Sequence, residues 1–304
     1  MDFLQLECFL SVVKSKSFTE AANDISLSQS SISKHIMRLE KELGVKLLNR
    51  NTRTVSLTVA GKDFLEHAER LMEEYHLALR NIHTYRDLYS LHVGSVDHLG
   101  KVGVTAPIAA FLEKFPHINI TLEQDNTLRL MNLLLGCKVD VALIALIKYP
   151  FSEKTNISEF PLEDYEIHTL VEDEYYLAVN EDHRLAGRSR VPWSELNGEK
   201  LVILDNSFSS NAVIQDTLKR TGTHARVAFE AQQVDTILGL INENFGISIL
   251  SRRVVTESPH ICAVSMEVPI ERNTAIIAPK RELRSQVCSR FVDHILEFYQ
   301  LNGI

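Results

Sequence analysis

The spacing of apolar residues in the N-terminal part of the chain predicts helices. The apolar residues of the first segment recur at helical spacing, as on one face of an amphipathic helix: Phe3, Leu6, Phe9, Leu10 and Val13. The stretch SFTE at 17–20 has a serine suited to an N-cap and a glutamate three positions later. This is the pattern of a capping box, so a short second helix is expected to begin there.

A third helix is predicted between Ser28, a suitable N-cap, and Gly44, a suitable C-terminal stop. Its apolar positions are spaced by three and four residues and define one face: Ile32, Ile36, Leu39 and Leu43. The other side carries short polar groups first and basic groups further on: Gln29, Ser30, Ser31, Ser33, Lys34 and Arg38. Two helices joined by a tight turn in this way are typical of a helix-turn-helix motif, here at about residues 18–37.

The short polar side chains at the start of this third helix favour entry into a DNA groove. A bulky residue would hold the backbone away from the major groove, whereas a hydroxyl or an amide can reach base edges or phosphates. Gln29 can pair with the N6 and N7 edge of adenine. The alternative is a surface helix whose serines only cap its N-terminus. The residues that follow favour the first interpretation.

A β-hairpin is predicted directly after the third helix. Leu47 and Leu48 precede a polar turn at 49–52, and polar and apolar residues alternate over 54–58. Arg50 and Arg53 lie near the tip, and a basic hairpin beside a helix-turn-helix is a wing suited to phosphate or minor-groove contact. Residues 1–58 are therefore expected to form a winged helix-turn-helix domain that binds double-stranded DNA.

A long helix is predicted from Val59 to about Leu88. Apolar residues mark one of its faces: Phe64, Leu65, Ala68, Leu71, Met72, Tyr75, Leu79 and Ile82. A helix of this length extends roughly 45 Å, which is longer than so small a head requires. We interpret residues 59–90 as a linker helix through which two chains form a homodimer.

The charge of the chain is unevenly distributed. The formal net charge is −8, yet residues 1–90 hold equal numbers of basic and acidic side chains, so the negative excess lies in residues 91–304. Within 30–55, basic residues outnumber Glu40 and Glu42: Lys34, Arg38, Lys41, Lys46, Arg50 and Arg53. This local excess suits a phosphate backbone, whereas the charge of the whole chain does not suit binding of nucleic acid over its entire surface.

From Leu91 onward, predicted strands alternate with predicted helices. The strands include LHVGSV (91–96), INITLE (118–123), VDVALIAL (139–146) and KLVILD (200–205). Helices are expected at 101–115, 127–135 and 283–301. Two more are expected between the later strands, one ending at Gly222 and one continuing through Asn244. This alternation predicts an α/β fold with a parallel sheet and right-handed crossovers.

Segment 3–65 carries a series of short motifs in a fixed order. They are a phenylalanine, Ala-Ala, Gln-Ser, Leu-Glu, Leu-Gly, an arginine, and Leu-Thr-x-Ala-Gly ending at Gly61. In these positions the chain resembles the LysR-type transcriptional regulators. It departs from the family at Ser30, where many members have proline, and at Leu48, where phenylalanine is usual. Neither departure alters the expected fold, but Ser30 bears on which bases are read.

The resemblance implies the organisation of the remaining chain. Residues 91–304 would form an effector-binding domain similar to a two-lobed periplasmic solute-binding protein. Lobe I would comprise residues 91–161 and 269–304, and lobe II residues 162–268. The family also implies a regulator whose homodimers assemble into a homotetramer on a pseudo-palindromic operator, respond to a small molecule and contact RNA polymerase.

In such folds a small ligand lies at the carboxyl ends of strands, near the N-termini of helices. The residues in those positions are the candidate effector contacts: Ser95, Asp97, His98, Asn126, Thr127, Asn206, Ser207, Phe208 and Glu230. Each is also of a type common in ordinary loops and helix caps. The hydroxyl, imidazole and carboxylate groups among them favour a polar metabolite over a hydrocarbon.

Two other functions fit parts of the sequence. The C-terminal part alone fits a solute-binding protein, but a winged head and the lack of a basic N-terminal leader argue against export. An enzyme could use Asp97, His98 or the serine-rich loop at 205–211, yet adjacency in sequence does not give triad geometry. G-x-S-x-G, H-E-x-x-H, phosphate-loop and G-x-G-x-x-G motifs are absent from the sequence.

Cysteine usage and hydropathy bound the remaining possibilities. Cys8, Cys137, Cys262 and Cys288 are widely separated, so neither a disulfide framework nor a metal site is encoded locally, and we expect no cofactor. The sequence has no apolar run of the roughly 18 residues that a membrane span needs. We therefore expect a cytoplasmic protein without a membrane partner.

Overall fold

The computed structural model describes residues 1–25, 27–51, 54–83, 89–96 and 103–302. By the contacts among its Cα atoms, the chain divides into two units, Met1–Ile82 and His83–Ile304. Each unit has a hydrophobic core of its own.

The N-terminal unit combines helices with one antiparallel β-hairpin. Its elements are α1 (Phe3–Ser15), α2 (Phe18–Asp24), α3 (Gln29–Leu43), β1 (Leu48–Asn51), β2 (Thr54–Leu57) and the beginning of α4 (Val59–His83). Helix α1 begins with a capping box formed by Asp2 and Gln5, which the sequence analysis did not identify. Helix α4 ends at His83, and the rest of the predicted linker helix, residues 84–88, lies outside the described residues.

The core of this unit fixes the orientation of α3. Ile32, Ile36 and Leu39 are completely buried, whereas Leu43, predicted on the same face, is exposed. Phe9 of α1 packs edge-on against Phe64 of α4, with ring centroids 5.4 Å apart. Because α1 and α2 pack against the apolar face of α3, the opposite face of α3 is left toward solvent.

The C-terminal unit is an α/β structure. Its first half contains β3 (Ser90–Ser95), α5 (Thr105–Lys114), β4 (Asn119–Gln124), α6 (Thr127–Leu135), β5 (Val141–Ile147), β6 (Tyr165–Val171) and β7 (Glu174–Asn180). Its second half contains β8 (Arg190–Val191), β9 (Lys200–Leu204), α7 (Ser209–Arg220), β10 (Arg226–Ala231), α8 (Val234–Asn242), β11 (Ser248–Ser251), α9 (Arg252–Thr256), β12 (Ile261–Met266), β13 (Ile270–Pro279) and α10 (Gln286–Asn302). Short 3₁₀ helices occur at Trp193–Leu196 and Arg281–Leu283.

The sheet is mixed, which corrects the prediction of a parallel sheet. Strands β4, β3 and β5 are parallel neighbours, and β9 pairs with β10 in parallel. Strand β13 is antiparallel to β5, β6 and β7, and β7 is antiparallel to β11 and β12. Strands β6 and β7 follow one another along β13, and both run antiparallel to it. Strands β12 and β13 are likewise both antiparallel to β7. These consecutive strands are joined by only a few residues, too few for the helical crossover that links parallel neighbours.

Strand β13 connects the two halves of this unit. Its first residues, Ile270 and Glu271, pair with β7, and the residues from Arg272 onward pair with β5. Strand β6 also pairs with β13 and contributes to the core beside α10, although we assigned residues from 162 onward to lobe II. In the structure the chain leaves this part of the sheet between Val171 and Glu174.

Within the described ranges, no helix has both the length and the apolar character that crossing a bilayer requires.

Candidate functional sites

The N-terminal end of α3 is held by a cap formed by neighbouring serines. Ser28 accepts a hydrogen bond from the amide of Ser31 at 3.1 Å, and the hydroxyls of Ser28 and Ser30 are 3.0 Å apart. Gln29 and Ser30 are exposed, whereas Ser31 and Ser33 are half-buried. Ser28 is thus the predicted N-cap, and Ser30 faces solvent while in contact with the capping hydroxyl.

The basic residues predicted on α3 lie beyond this cap. Lys34 and Arg38 are exposed, at positions that alternate with the buried Ile32, Ile36 and Leu39. The structure therefore brings polar groups from the first turn and two cations onto the solvent side of one rigid helix. Such a surface offers hydrogen-bonding groups and positive charge together, as binding to a DNA groove requires.

A buried carboxylate joins α3 to the hairpin. Glu40 accepts hydrogen bonds from the amides of Leu47 at 3.0 Å and Leu48 at 3.2 Å, and from the Lys46 ammonium at 2.8 Å. Burial alone would raise the pKa of Glu40, but the bonds from Lys46, Leu48 and Leu47 outweigh burial and lower it. In the sequence, Glu40 is only one of two acidic residues in a basic segment, and no local pattern marks it as buried. Its side chain is in fact 1% exposed.

The Leu-Thr-x-Ala-Gly motif fixes the other end of the hairpin. The hydroxyl of Thr58 donates to the carbonyl of Lys46 at 2.7 Å and accepts from the amide of Gly61 at 2.9 Å. A Cβ at Gly61 would lie 2.1 Å from the carbonyl oxygen of Leu47. The first turn of α4 therefore approaches the hairpin so closely that only glycine fits.

Of the two arginines predicted near the tip of the hairpin, the structure describes only the backbone of Arg50. Arg50 pairs with Val55 in the β1–β2 ladder. Its side chain, and the whole of Arg53, lie outside what the structure describes. Their contacts with DNA remain predictions.

Helix α4 and the start of α1 present an exposed apolar surface. Leu71 is 43% exposed and Phe3 is 44% exposed. The ring of Phe3 stacks on that of Tyr75, with centroids 3.9 Å apart. A single copy of this unit leaves these side chains in contact with water.

A cavity lies at the carboxyl ends of strands in the C-terminal unit. Its volume is about 90 Å³, which gives room for roughly six to nine water-sized groups. Strand ends contribute Val96, Ala145, Ile147 and Leu204, and the starts of helices α6, α7 and α8 close it. The wall thus combines apolar side chains with the polar ends of three helices.

The structure brings only some of the predicted effector residues to this cavity. Asn126, Thr127 and Phe208 line it. Asn126 caps α6 by accepting from the amide of Arg129 at 3.0 Å, and the Thr127 hydroxyl is 3.3 Å from both the amide and the carbonyl of Ala145. These bonds hold the start of α6 against the end of β5.

The other predicted effector residues do not line the cavity or fall outside the description. Ser95 is buried, and its hydroxyl donates to the carbonyl of Val96 at 3.0 Å. Asn206, Ser207 and Glu230 are exposed and are not in the cavity wall. Asp97 and His98 lie outside the described residues.

Several polar residues that sequence reasoning missed line the cavity: Asp125, Tyr175, Ser209, Ser210, Gln232, Ser251 and Arg272. Arg272 is only 8% exposed, and its Nη1 donates to the hydroxyl of Thr274 at 3.0 Å. Burial raises the pKa of Tyr175, while the charge of Arg272 and hydrogen bonds with Ser210 and Arg272 oppose that rise. Arg272 is the third residue of β13 and follows the exposed Glu271, and no local motif marks it.

A second hydrogen-bonded contact lies beside the cavity. The Asn156 amide nitrogen donates to the carbonyl of Ala145 and to the hydroxyl of Ser209, both at 2.9 Å. Its amide oxygen accepts from the amide of Ile147 at 2.9 Å. Asn156 therefore ties the end of β5 to the start of α7.

Comparison with known proteins gives a consistent result over the whole chain. Residues 3–62 match the family model described as bacterial regulatory helix-turn-helix protein, lysR family, and residues 87–300 match the LysR substrate binding domain. GltC of Bacillus subtilis, a transcriptional dual regulator, is 27% identical over 306 residues, covering 98% of each chain.

Solved structures show the same fold. Full-length CbnR in complex with its target DNA is 24% identical, with a TM-score of 0.52 over 98% of this chain and 100% of that chain. The regulatory domain of Synechocystis PCC6803 CcmR, in complex with 2-PG, is 19% identical, with a TM-score of 0.60 over 69% of this chain and 97% of that chain.

A helix-turn-helix unit together with an α/β unit whose cavity is lined by both apolar and polar residues defines the class: a DNA-binding protein that responds to a ligand. The chain belongs to the LysR family. It is a DNA-binding transcriptional regulator with an effector-binding domain.

Proposed function

We propose that α3 reads the operator and that the hairpin acts as a wing. Gln29, Ser30, Ser31 and Ser33 would contact base edges or phosphates, Lys34 and Arg38 the phosphates, and Arg50 and Arg53 the backbone or minor groove. The observation that carries this assignment is the solvent-facing polar surface of α3, held in place by three fully buried residues, Ile32, Ile36 and Leu39.

Fluorescence anisotropy with labelled DNA from upstream of the gene tests this assignment. Gln29→Ala is expected to weaken specific binding by about 1–3 kcal/mol if it pairs with a base. Arg38→Ala is expected to weaken binding to all sequences and to reduce the salt slope by about 1. Lys154→Ala, an exposed lysine in the C-terminal unit, is the control. Wild-type affinity in both α3 variants would contradict the assignment.

A small-molecule effector binds in the cavity between the ends of β5 and β9 and the starts of α6, α7 and α8, and its binding controls regulation. Support comes from the position of the cavity at strand ends and helix N-termini, where α/β folds bind ligands. Asn126, Thr127 and Phe208 contact the effector directly. For Ser95, Asp97, His98, Asn206, Ser207 and Glu230, contact with the effector stays a prediction.

Ala145→Leu tests this location, because Ala145 lines the cavity and a larger side chain would occupy part of it. The variant is expected to lose the response to an effector found by thermal-shift screening of metabolites, while it still binds DNA. An unchanged effector affinity in a folded variant would place the effector site elsewhere.

The regulator acts as a homodimer through α4, and dimers pair into a homotetramer on a pseudo-palindromic operator. Exposed Leu71 and the stacked pair Phe3 and Tyr75 support this assembly, because burying them in a partner removes apolar surface from water. Leu71→Glu should dissociate the dimer in sedimentation equilibrium, whereas exposed Glu66→Gln should not. A Leu71→Glu variant that sediments like wild type would exclude this surface.

The protein regulates by binding, in the cytoplasm where its DNA is found, and it contacts RNA polymerase rather than catalysing a reaction. A reconstituted transcription assay with purified polymerase measures the effect on transcript level. Mass spectrometry of the effector after incubation tests for catalysis. Conversion of the effector would show that the cavity has an enzymatic activity.

A further inference from the structure

We infer that the effector is a small carboxylate and that Arg272 is the residue that binds its charged group. This inference rests on the proposed effector site and specifies the chemistry of its ligand. It begins from the position of a buried cation in the wall of the cavity. Arg272 is 8% exposed and lines the cavity.

The charge of Arg272 has no carboxylate partner in the described part of the chain. Its guanidinium makes no ion pair within 4.0 Å there, and its contacts are with the hydroxyls of Thr274 and Tyr175. Both hydroxyls are neutral, so they accept hydrogen bonds from the guanidinium of Arg272 without balancing its positive charge. An unbalanced buried charge lowers the free energy of unfolding by roughly several kcal/mol. Such a charge is therefore typical of functional sites, where a ligand can balance it.

The helix ends around the cavity favour the same sign of ligand. Helices α7 and α8 begin at the cavity, and neither has a side-chain cap that bonds its first amides. Free amides and the helix dipole give such an end partial positive charge. Asp125 also lines the cavity, but it accepts bonds from the amide and side chain of Asn126 at 2.7 and 3.0 Å.

The rest of the wall selects the kind of anion. Val96, Ile147, Leu250 and Val254 are apolar, and the volume of about 90 Å³ admits only a small molecule. A fully hydrated, highly charged phosphate would leave these side chains unused. A short-chain carboxylate places its two oxygens on the planar guanidinium fork and its carbon chain on the apolar wall.

The position of Arg272 also links the ligand to regulation. Arg272 is the residue at which β13 passes from pairing with β7 to pairing with β5. A carboxylate bound there would contact residues from α6 on one side and from α7 on the other. Binding would therefore favour one arrangement of the two halves of the unit.

The test measures thermal shift and calorimetric affinity with the full chain. The probes are propionate, butyrate, pyruvate and succinate, each matched with its neutral amide, and inorganic phosphate. At least one acid is expected to stabilise wild type, whereas its amide is not. Arg272→Met should lower the affinity for that acid by at least about 30-fold, and Arg272→Lys should lower it by less. Arg188→Gln, which replaces an exposed arginine, should bind as wild type does.

Several results would overturn the inference. They are equal stabilisation by an acid and its amide, a preference for phosphate, no response to any acid, or an acid response that survives Arg272→Met. If wild type responds to an amide and Ala145→Leu does not, the location of the effector site is supported and only the carboxylate assignment is wrong. If an acid binds Ala145→Leu normally, the proposed effector site itself fails.

Stability without ligand gives an independent readout. Because Met removes an unbalanced charge but keeps much of the volume, ligand-free Arg272→Met should melt at the same temperature as wild type or higher. A lower melting temperature would identify Arg272 as a structural cation and overturn the inference. An equal decrease in Asp97→Asn would identify the internal partner of that cation.

Discussion

The buried carboxylate of Glu40 provides a quantitative test of how the head is assembled. Glu40→Ala removes the acceptor for the amides of Leu47 and Leu48, which are both buried. An unsatisfied buried amide costs about 1–3 kcal/mol. Lys46, which is 71% exposed, adds little because solvent screens its attraction. We expect Glu40→Ala to destabilise the N-terminal unit by about 2–5 kcal/mol.

Glu40→Gln separates hydrogen bonding from charge. The amide oxygen of glutamine can still accept from the backbone, so the expected loss is only about 1 kcal/mol. The pKa of Glu40 is lowered in the folded state, so its ionised form contributes stability. This contribution to stability is complete above the unfolded-state pKa of about 4.3. It is lost as the pH falls through the lower folded-state pKa. The Gln variant should lack this acid-dependent part.

The assay exploits the location of the single tryptophan. Trp193 lies in the C-terminal unit, so its fluorescence during urea denaturation reports on that unit, while circular dichroism reports on both. Glu40 variants should move the circular dichroism transition of the head and leave the tryptophan transition in place. Glu42→Ala is the control, because Glu42 is exposed and contacts the amino terminus. The reasoning is refuted if Glu40→Ala costs no more than Glu42→Ala, or if Glu40→Gln costs as much as Glu40→Ala.

Three further perturbations are expected to have measurable effects. Gly61→Ala should strongly lower the stability of the N-terminal unit in urea, because the new Cβ would lie 2.1 Å from the backbone oxygen of Leu47. The control is Gly187→Ala, whose Cβ would meet nothing within 4 Å and which should be neutral. Equal stabilities of the two variants would contradict the close approach at Gly61. Asn156→Ala should lower the tryptophan-monitored stability of the C-terminal unit by about 1–3 kcal/mol, and an unchanged midpoint would show that its contacts are dispensable. Burial raises the pKa of the Cys8 thiol to about 12 and also raises that of Cys288, so both thiols should resist a thiol reagent at pH 8 until urea is added. The measurement uses a Cys137→Ser, Cys262→Ser double variant, in which Cys8 and Cys288 are the remaining cysteines. Rapid labelling of the folded double variant would disprove this prediction.

Much of the head was predictable because its determinants are local. The capping serine at 28, the glycine at 44 and the spacing of Ile32, Ile36 and Leu39 define α3 within a few turns of chain. The alternation at 54–58 likewise predicts a hairpin strand. The role of Glu40 was not predictable in the same way, because the amides it accepts belong to residues that reach it only after the hairpin has folded.

In the C-terminal unit, most strands and helices were also predictable, since each depends on the periodicity of neighbouring side chains. The strand directions and the composition of the cavity were not predictable, because both depend on contacts between segments that are distant in the sequence. Asn126, Thr127 and Phe208 were identifiable as residues at the starts of helices. Arg272 was not, because it enters the cavity from near the start of β13, whose partners β5 and β7 lie far away in the sequence. Side chains from distant strands form one binding wall only when the sheet has assembled.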